Sequence, residues 1–337
     1  MATDAAQSAV SAPAETGAPA AMPAGIPDAV PSALAAAQAA AALVERRMVI
    51  RRWLLVSPAM GVILLCGLLP LLIVLAYSWA TPGEYSGVTW DFRPDAWINV
   101  LFERDLFTDE LAPNYAYFSI YLRSILLALQ TTVLALLIGF PTAYFIASRP
   151  PRQRNMWLFL ITIPFWSNLL IRIYAIMMII RDDGYLNNAL MGLGITDHML
   201  PILFTNYAVG YGLLYGYLPL MVMPLYASLE KLDFRMVEAG YDLYANRFRV
   251  LIHVIIPLVK PGIIAGSILV FIPAIGDYVI ARMLGGGKKM MLGTLIAEQF
   301  GQARNWPQGA ALSLTLMGVV MVALMIYARK AARVQAQ

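Results

Sequence analysis

One cysteine, two histidines and very little charge mark this chain by what they exclude. Cys66 stands alone among 337 residues, so no internal disulfide can form. His198 and His253 lie in separate segments with no ligand spacing around them, which leaves no thiolate or imidazole metal site. Charged residues make up only 13% of the chain, against about a quarter in a soluble domain. There is no G-x-x-x-x-G-K-[ST] motif; "GGGKKM" at 285–290 lacks the spacing that cradles a nucleotide phosphate. The formal net charge of +4 is no sign of nucleic-acid binding, because the basic residues flank apolar runs, where membrane topology uses them. Nor is there a His/Cys/carboxylate constellation of the kind an enzyme would need. What fills the chain instead is hydrophobic residue, 60% of it, gathered in runs long enough to cross a bilayer.

Six such runs are read as an all-α membrane protein: 53–79, 120–147, 156–181, 203–229, 263–283 and 308–328. Prolines inside them (Pro58, Pro70, Pro141, Pro164, Pro219 and Pro273) are tolerated where neighbouring helices satisfy the freed backbone groups. Residues 1–45, rich in Ala and Pro, are expected to be a disordered tail, and no basic region precedes them as in a signal peptide. Residues 46–330 form the membrane domain and 331–337 a second short tail. Most of the 24 Lys and Arg residues fall in the 46–52 flank, 149–155, 230–262 and the end of the chain. The positive-inside rule therefore places both termini and the 230–262 segment in the cytoplasm. The acidic 80–119 connection, with Glu84, Asp91, Asp95, Glu103, Asp105, Asp109 and Glu110, lies outside and reads as a solvated loop.

The 230–262 segment contains "EAGYDLYANRFRVLIHVIIP" (238–257), which breaks the apolar pattern. Phe248, Leu251, Ile252, Ile255 and Ile256 recur at helical spacing and predict one apolar face. Glu238 and Asp242 share a side of the preceding piece, Ala245–Asn246 is a plausible turn, and Pro257 is expected to stop the second piece. An interfacial helix pair lying on lipid would suit the apolar stripe. Two carboxylates suit an anionic inner leaflet poorly, which favours docking of a cytoplasmic partner.

The stretch resembles the cytoplasmic signature of bacterial ABC-importer permeases, E-A-A-x-x-x-G-x9-I-x-L-P. Glu238, Ala239 and Pro257 match; Val254 and Ile256 are conservative, while Gly240 and Tyr244 replace an Ala and a Gly. "TIPFWSNLLIRIYAIMMIIRDDGYLNN" (162–188), "YLPLMVMPLYASLEKLD" (217–233) and "PGIIAGSILVFIPAIGDYVIARMLGG" (261–286) are similar to permease subunits of spermidine/putrescine importers. The resemblance covers roughly residues 50–330. It implies a type I ABC importer permease fold in the bacterial inner membrane, with the quoted stretch as a coupling helix. Glu238, Ala239, Gly240, Asp242, Tyr244 and Pro257 would then form the ATPase-coupling set. It also implies partners: a second similar permease, an ATPase dimer that binds ATP and Mg, and a periplasmic substrate-binding protein. No cofactor or metal is expected in this chain. Tyr244 at the glycine position leaves two options. Either the turn moves to Asn246, or Tyr244 is helical and packs into the partner's groove; the second is the expectation.

Away from the span ends, two charged residues fall within spans, Arg172 and Asp277, and such residues are functional candidates. Counting about 1.5 Å per residue from the inner ends puts them at similar depth, roughly 24 and 21 Å. An Arg172–Asp277 ion pair is one reading. The other places Asp277 on the path of a cationic cargo, as the family resemblance suggests, with Trp166, Asn168 and Tyr278 on the same path and cation–π attraction from the rings. Both can hold if cargo competes with Arg172. Another small solute (an opine, an amino acid derivative or a phosphonate) is the alternative cargo. An ion-coupled secondary transporter is disfavoured, since no internal repeat is visible.

Overall fold

The computed structural model describes residues 29–83, 87–104 and 111–335. The expectations for residues 1–28 and for Glu84, Asp105, Asp109 and Glu110 lie outside the described residues. The chain divides into two compact units, residues 1–69 and 70–337.

The first described element is a helix, α1 (Ala29–Tyr77), whose apolar stretch runs Arg51–Tyr77. The tail expected over 1–45 is therefore helical from Ala29 onward. Alanine has the highest helix propensity, and a segment that extends an existing helix needs no new nucleus.

After α1 come a short hairpin, β1 (Thr81–Pro82) and β2 (Val88–Thr89), then α2 (Asp95–Leu101) and a second hairpin, β3 (Phe102–Arg104) with β4 (Leu111–Pro113). The membrane helices follow: α3 (Tyr115–Ala147), α4 (Pro151–Trp166), α5 (Leu169–Ile180), the short α6 (Tyr185–Gly192), and α7 (Asn206–Leu229). Next come α8 (Phe234–Asp242) and α9 (Arg247–Val250), in the segment expected to be cytoplasmic. A π-helical turn, Leu251–Ile255, joins α9 to α10 (Ile256–Ile275). The last elements are α11 (Val279–Gly285), α12 (Leu292–Phe300) and α13 (Trp306–Gln335).

Among the described residues five helices are long and apolar enough to span a bilayer; the expected third span makes six only as a broken pair. It is not one rod over 156–181, because α4 and the α5–α6 segment meet at 89°. Asn168 turns its side chain back to accept the Leu170 N–H at 2.8 Å, which caps α5 as a new helix. The fifth span also departs from expectation. It begins at Arg247 and runs without interruption to Ile275, so Pro257 does not end a helix. The π turn lets the Ile256 N–H reach the Leu251 carbonyl one residue further back, and this shift in hydrogen-bond register just ahead of Pro257 accommodates a proline inside a continuous helix.

The core is built on α3, α7 and α10. Ala135, Gly139, Ala143 and Ala147 recur every fourth residue on α3 and are buried. A Cβ at Gly139 would stand 3.1 Å from the Met221 Cγ, and one at Gly266 would stand 2.7 Å from its Sδ. Small residues in these stripes let three backbones approach closely, since apolar burial alone does not drive association in lipid.

The outer connection is more ordered than a solvated loop. Ala96 and Val100 of α2 are buried with Leu292 and Leu295 of α12 and Ala311 and Leu312 of α13. The turn after α5 is held by Asn187, fully buried. Its Nδ2 donates to the carbonyls of Arg181 (3.2 Å), Asp182 (3.0 Å) and Leu200 (2.9 Å), and its Oδ1 accepts the Leu200 N–H at 3.1 Å. Asn187→Leu leaves the Leu200 N–H and the Asp182 carbonyl without a partner, while the Arg181 and Leu200 carbonyls keep the N–H groups of Gly184 and Ile202. It is expected to destabilise by about 1–3 kcal/mol, measured as a drop in thermal midpoint of the purified protein.

Candidate functional site

Two places in the molecule carry candidate functional residues: the cytoplasmic α8–α9 elbow and the paired helix breaks within the membrane domain.

Helix α8 begins at Asp233, whose side chain accepts the Arg235 N–H at 3.0 Å. It buries Val237 and exposes Glu238, Ala239, Tyr241 and Asp242. Val237, Val250 and Ile255 belong to the same buried cluster as Ile146, Leu225 and Leu229, which seats the elbow on the inner ends of α3 and α7. Gly240 lies where the elbow closes: a Cβ there would stand 3.2 Å from Val250 Cγ2.

The helix ends in a Schellman turn. The Tyr244 N–H donates to the Tyr241 carbonyl at 2.9 Å, and the Ala245 N–H to the Gly240 carbonyl at 3.2 Å. That geometry needs a left-handed residue, and Tyr244 supplies it with φ +59°. Neither sequence expectation for Tyr244 holds. The turn does not move to Asn246, which has φ −70° and caps α9 by accepting the Arg249 N–H at 2.8 Å. Nor is Tyr244 helical. It keeps the glycine's backbone role and projects a ring that is 98% exposed.

The apolar face expected over 248–256 is also revised. Val250 and Ile255 are buried and Leu251 and Val254 pack against the cluster, whereas Phe248, Ile252 and Ile256 are exposed. The segment carries two apolar stripes, and periodicity alone does not say which one meets protein.

The second place is set by two breaks in the spanning helices. Between α10 and α11, Gly276, Asp277 and Tyr278 leave the helix. Asp277 is buried, and one carboxylate oxygen accepts the N–H groups of Ile280 (2.7 Å) and Ala281 (3.3 Å) at the start of α11. The other oxygen accepts the Tyr217 hydroxyl from α7 at 2.7 Å. These bonds satisfy N–H groups that the restarted helix would otherwise leave free, so Asp277 serves as the cap of α11.

The expected Arg172–Asp277 ion pair does not form. Among the described residues no salt bridge joins them. The bend at 167–168 removes the straight rise on which the shared depth rested. Arg172 instead has its guanidinium carbon 5.7 Å from the Phe165 ring centre, and its Nε is buried with no hydrogen-bond partner. At the other break, Trp166 is largely exposed and Asn168 serves as the cap of α5. Tyr278 is partly exposed, with Arg282 over its ring at 5.9 Å.

Sequence reading did not find Tyr217 or Gly293. Tyr217 is 60 residues from its partner and one of several tyrosines on α7, so no local signal marks it. Gly293, at the start of α12, is pressed against the break: a Cβ there would stand 2.3 Å from the Gly276 carbonyl oxygen and 2.8 Å from that of Asp277.

Several apolar helices long enough to span a bilayer, packed around a small-residue core and with two of them broken, are the architecture of a multi-pass membrane protein. The family described as binding-protein-dependent transport system inner membrane component matches residues 135–332. The chain is 41% identical over 269 residues to the spermidine/putrescine transport system permease protein PotB of Escherichia coli, covering 80% of this chain and 94% of the relative. It is 38% identical over 260 residues to the protein of the same description from Haemophilus influenzae, covering 77% and 86%. Among solved structures, a bacterial ABC transporter involved in import of the acidic polysaccharide alginate aligns with TM-score 0.61 at 16% identity, over 85% of this chain and 98% of that one. This chain belongs to the binding-protein-dependent transport system inner membrane components. It is a multi-pass inner-membrane protein with the type I ABC importer permease fold.

Proposed function

We propose that this chain is a transmembrane subunit of an ATP-driven importer of polyamines, spermidine- or putrescine-like cations. The observation that carries the reading is the identity to spermidine/putrescine permeases along most of the chain, joined to an exposed acidic elbow on the cytoplasmic side. ATP, with Mg, is hydrolysed by a separate ATPase dimer. That dimer takes the elbow formed by Glu238, Ala239, Gly240, Asp242 and Tyr244, and Pro257 lies about three turns inside the helix that leaves it. A second, similar permease completes the membrane path, and a periplasmic binding protein delivers cargo.

The cargo path runs along the two helix breaks. Trp166 and Tyr278 offer ring faces to an ammonium group, and Asn168 and Asp277 hold the breaks open. Asp277, held by the start of α11 and by Tyr217, offers a fixed carboxyl group to a passing cation.

The test uses the assembled transporter in vesicles. Asp277→Asn retains the shape of the side chain and removes its charge. Loss of one charge-assisted contact is worth roughly 1.5–3 kcal/mol, so uptake of labelled putrescine is expected to fall about 10–100-fold. Tyr217→Phe keeps the carboxylate and should have the smaller effect. Wild-type uptake by Asp277→Asn would remove Asp277 from the path, and ATP-independent uptake by this chain alone would overturn the importer reading.

A further inference from the structure

Three of the buried side chains that have no hydrogen-bond partner gather on the outer face. Trp97 Nε1, Tyr121 Oη and both amide atoms of Gln308 are all orphaned. Gln308 is 3% exposed. Trp97 and Tyr121 pack against the cluster that joins α2, α12 and α13. Gln308 lines a cleft of about 350 Å³ between these helices and the start of α3. An unpaired buried amide is costly, and a native one calls for an explanation.

The lining of the cleft states what it would take. Asn99, Gln299 and Gln308 carry amide oxygens, Phe102 and Tyr117 carry rings, and Glu103 is the one charged group among the described lining residues. Two further amides are already committed: Asn114 Oδ1 caps α3 by accepting the Tyr117 N–H at 2.9 Å, and Asn305 Oδ1 accepts the Gln308 N–H at 3.1 Å. Helix ends of both signs meet here. The starts of α3 and α13 bring N–H groups and the last turns of α2 and α12 bring carbonyls, so their dipoles offset. The sign of the site is then set by Glu103. A carboxylate, amide oxygens and aromatic faces around one cleft recognise a group that donates several hydrogen bonds, carries positive charge and has an alkyl stem.

We propose that this outer cleft binds an alkylammonium group, with Glu103 as counter-ion and Gln308 as an acceptor that a bound amine satisfies. Its use as a landing site for cargo before the helix breaks rests on the polyamine reading above; its binding chemistry does not. Asp277 is a separate site, on other helices.

Binding of labelled putrescine and butylamine to the complete transporter in nanodiscs tests it, with 1,4-butanediol as the uncharged competitor. Wild type is expected to bind both amines and ignore the diol. Glu103→Gln and Gln308→Leu should each weaken binding at least tenfold. Gln308→Leu also separates the two roles of the amide. If the orphan serves no ligand, leucine leaves affinity unchanged and raises the thermal midpoint. Amine binding by wild type that both variants retain would overturn the site, and so would no amine binding at all. Intact binding that depends on Glu103, with no putrescine uptake by the assembled transporter, would sink the cargo reading and leave the site standing.

Discussion

Alanine at position 293 is expected to abolish transport and lower the thermal midpoint, although it adds a single methyl group. The first turn of α12 is fixed on its other side: the Ser124 hydroxyl of α3 accepts the Leu292 N–H at 2.8 Å, and Thr294 Oγ1 accepts the Met291 N–H at 2.7 Å. The new carbon would lie 2.3 Å from the Gly276 oxygen and 2.8 Å from the Asp277 oxygen, both backbone atoms that no rotamer change can move. Overpacking of this kind costs about 1–3 kcal/mol. The strain has one soft outlet, the three-residue break itself. Moving that break pulls Asp277 off Tyr217 and off the start of α11, so uptake should fall by more than the stability loss alone accounts for. Gly318→Ala is the control. Nothing lies within 4 Å of its Cβ position, and a helical Gly→Ala change is expected to be neutral or to stabilise by about 0.5–1 kcal/mol. Wild-type uptake and melting by Gly293→Ala would show that the break does not need close backing.

The second large effect is expected at Tyr244, where two jobs sit on one residue and can be separated by three substitutions. The left-handed backbone costs a non-glycine residue of order 1–3 kcal/mol. Tyr244→Gly removes that strain and the ring together. Tyr244→Ala removes the ring and keeps the strain, and Tyr244→Phe keeps both. If the ring anchors the ATPase, truncation at a central anchor costs about 2 kcal/mol or more, roughly a thirtyfold loss of affinity. Stimulated ATPase activity at limiting ATPase subunit should then fall in both Tyr244→Ala and Tyr244→Gly and persist in Tyr244→Phe, while Tyr244→Gly melts higher than wild type. Full stimulation in Tyr244→Ala would reduce Tyr244 to a turn residue.

Much of the architecture was legible because hydropathy in a membrane protein reports length directly. The spans starting near 120, 203 and 308 are helices close to where the runs predict them. The breaks were not legible, and the prolines show why. Pro141, Pro219, Pro224 and Pro261 lie inside continuous helices. Pro164 lies in the last turn before one break and Pro273 shortly before the other. The residue type is the same in both groups. What differs is a side chain placed to cap the restarted helix, Asn168 in one case and Asp277 in the other. The Arg172–Asp277 pairing failed for the same reason, since depth along a helix means little once the helix turns. At the elbow, the turn falls on the signature's glycine position, where neither expectation for Tyr244 puts it. The departure at Tyr244 looked like a change of geometry and is a change of side chain on an unchanged backbone.

The uninterrupted passage from Arg247 to Ile275 has a mechanical consequence. Its 29 residues make a rod of about 43 Å at ~1.5 Å per residue. One end leaves the elbow directly, and the other stops at the break that holds Asp277. Between the two there is no loop to absorb a push. The π turn near the inner end is a place where the rod can change its winding. A shove at the elbow would therefore arrive at Asp277 as a shift or a twist of a single stiff lever.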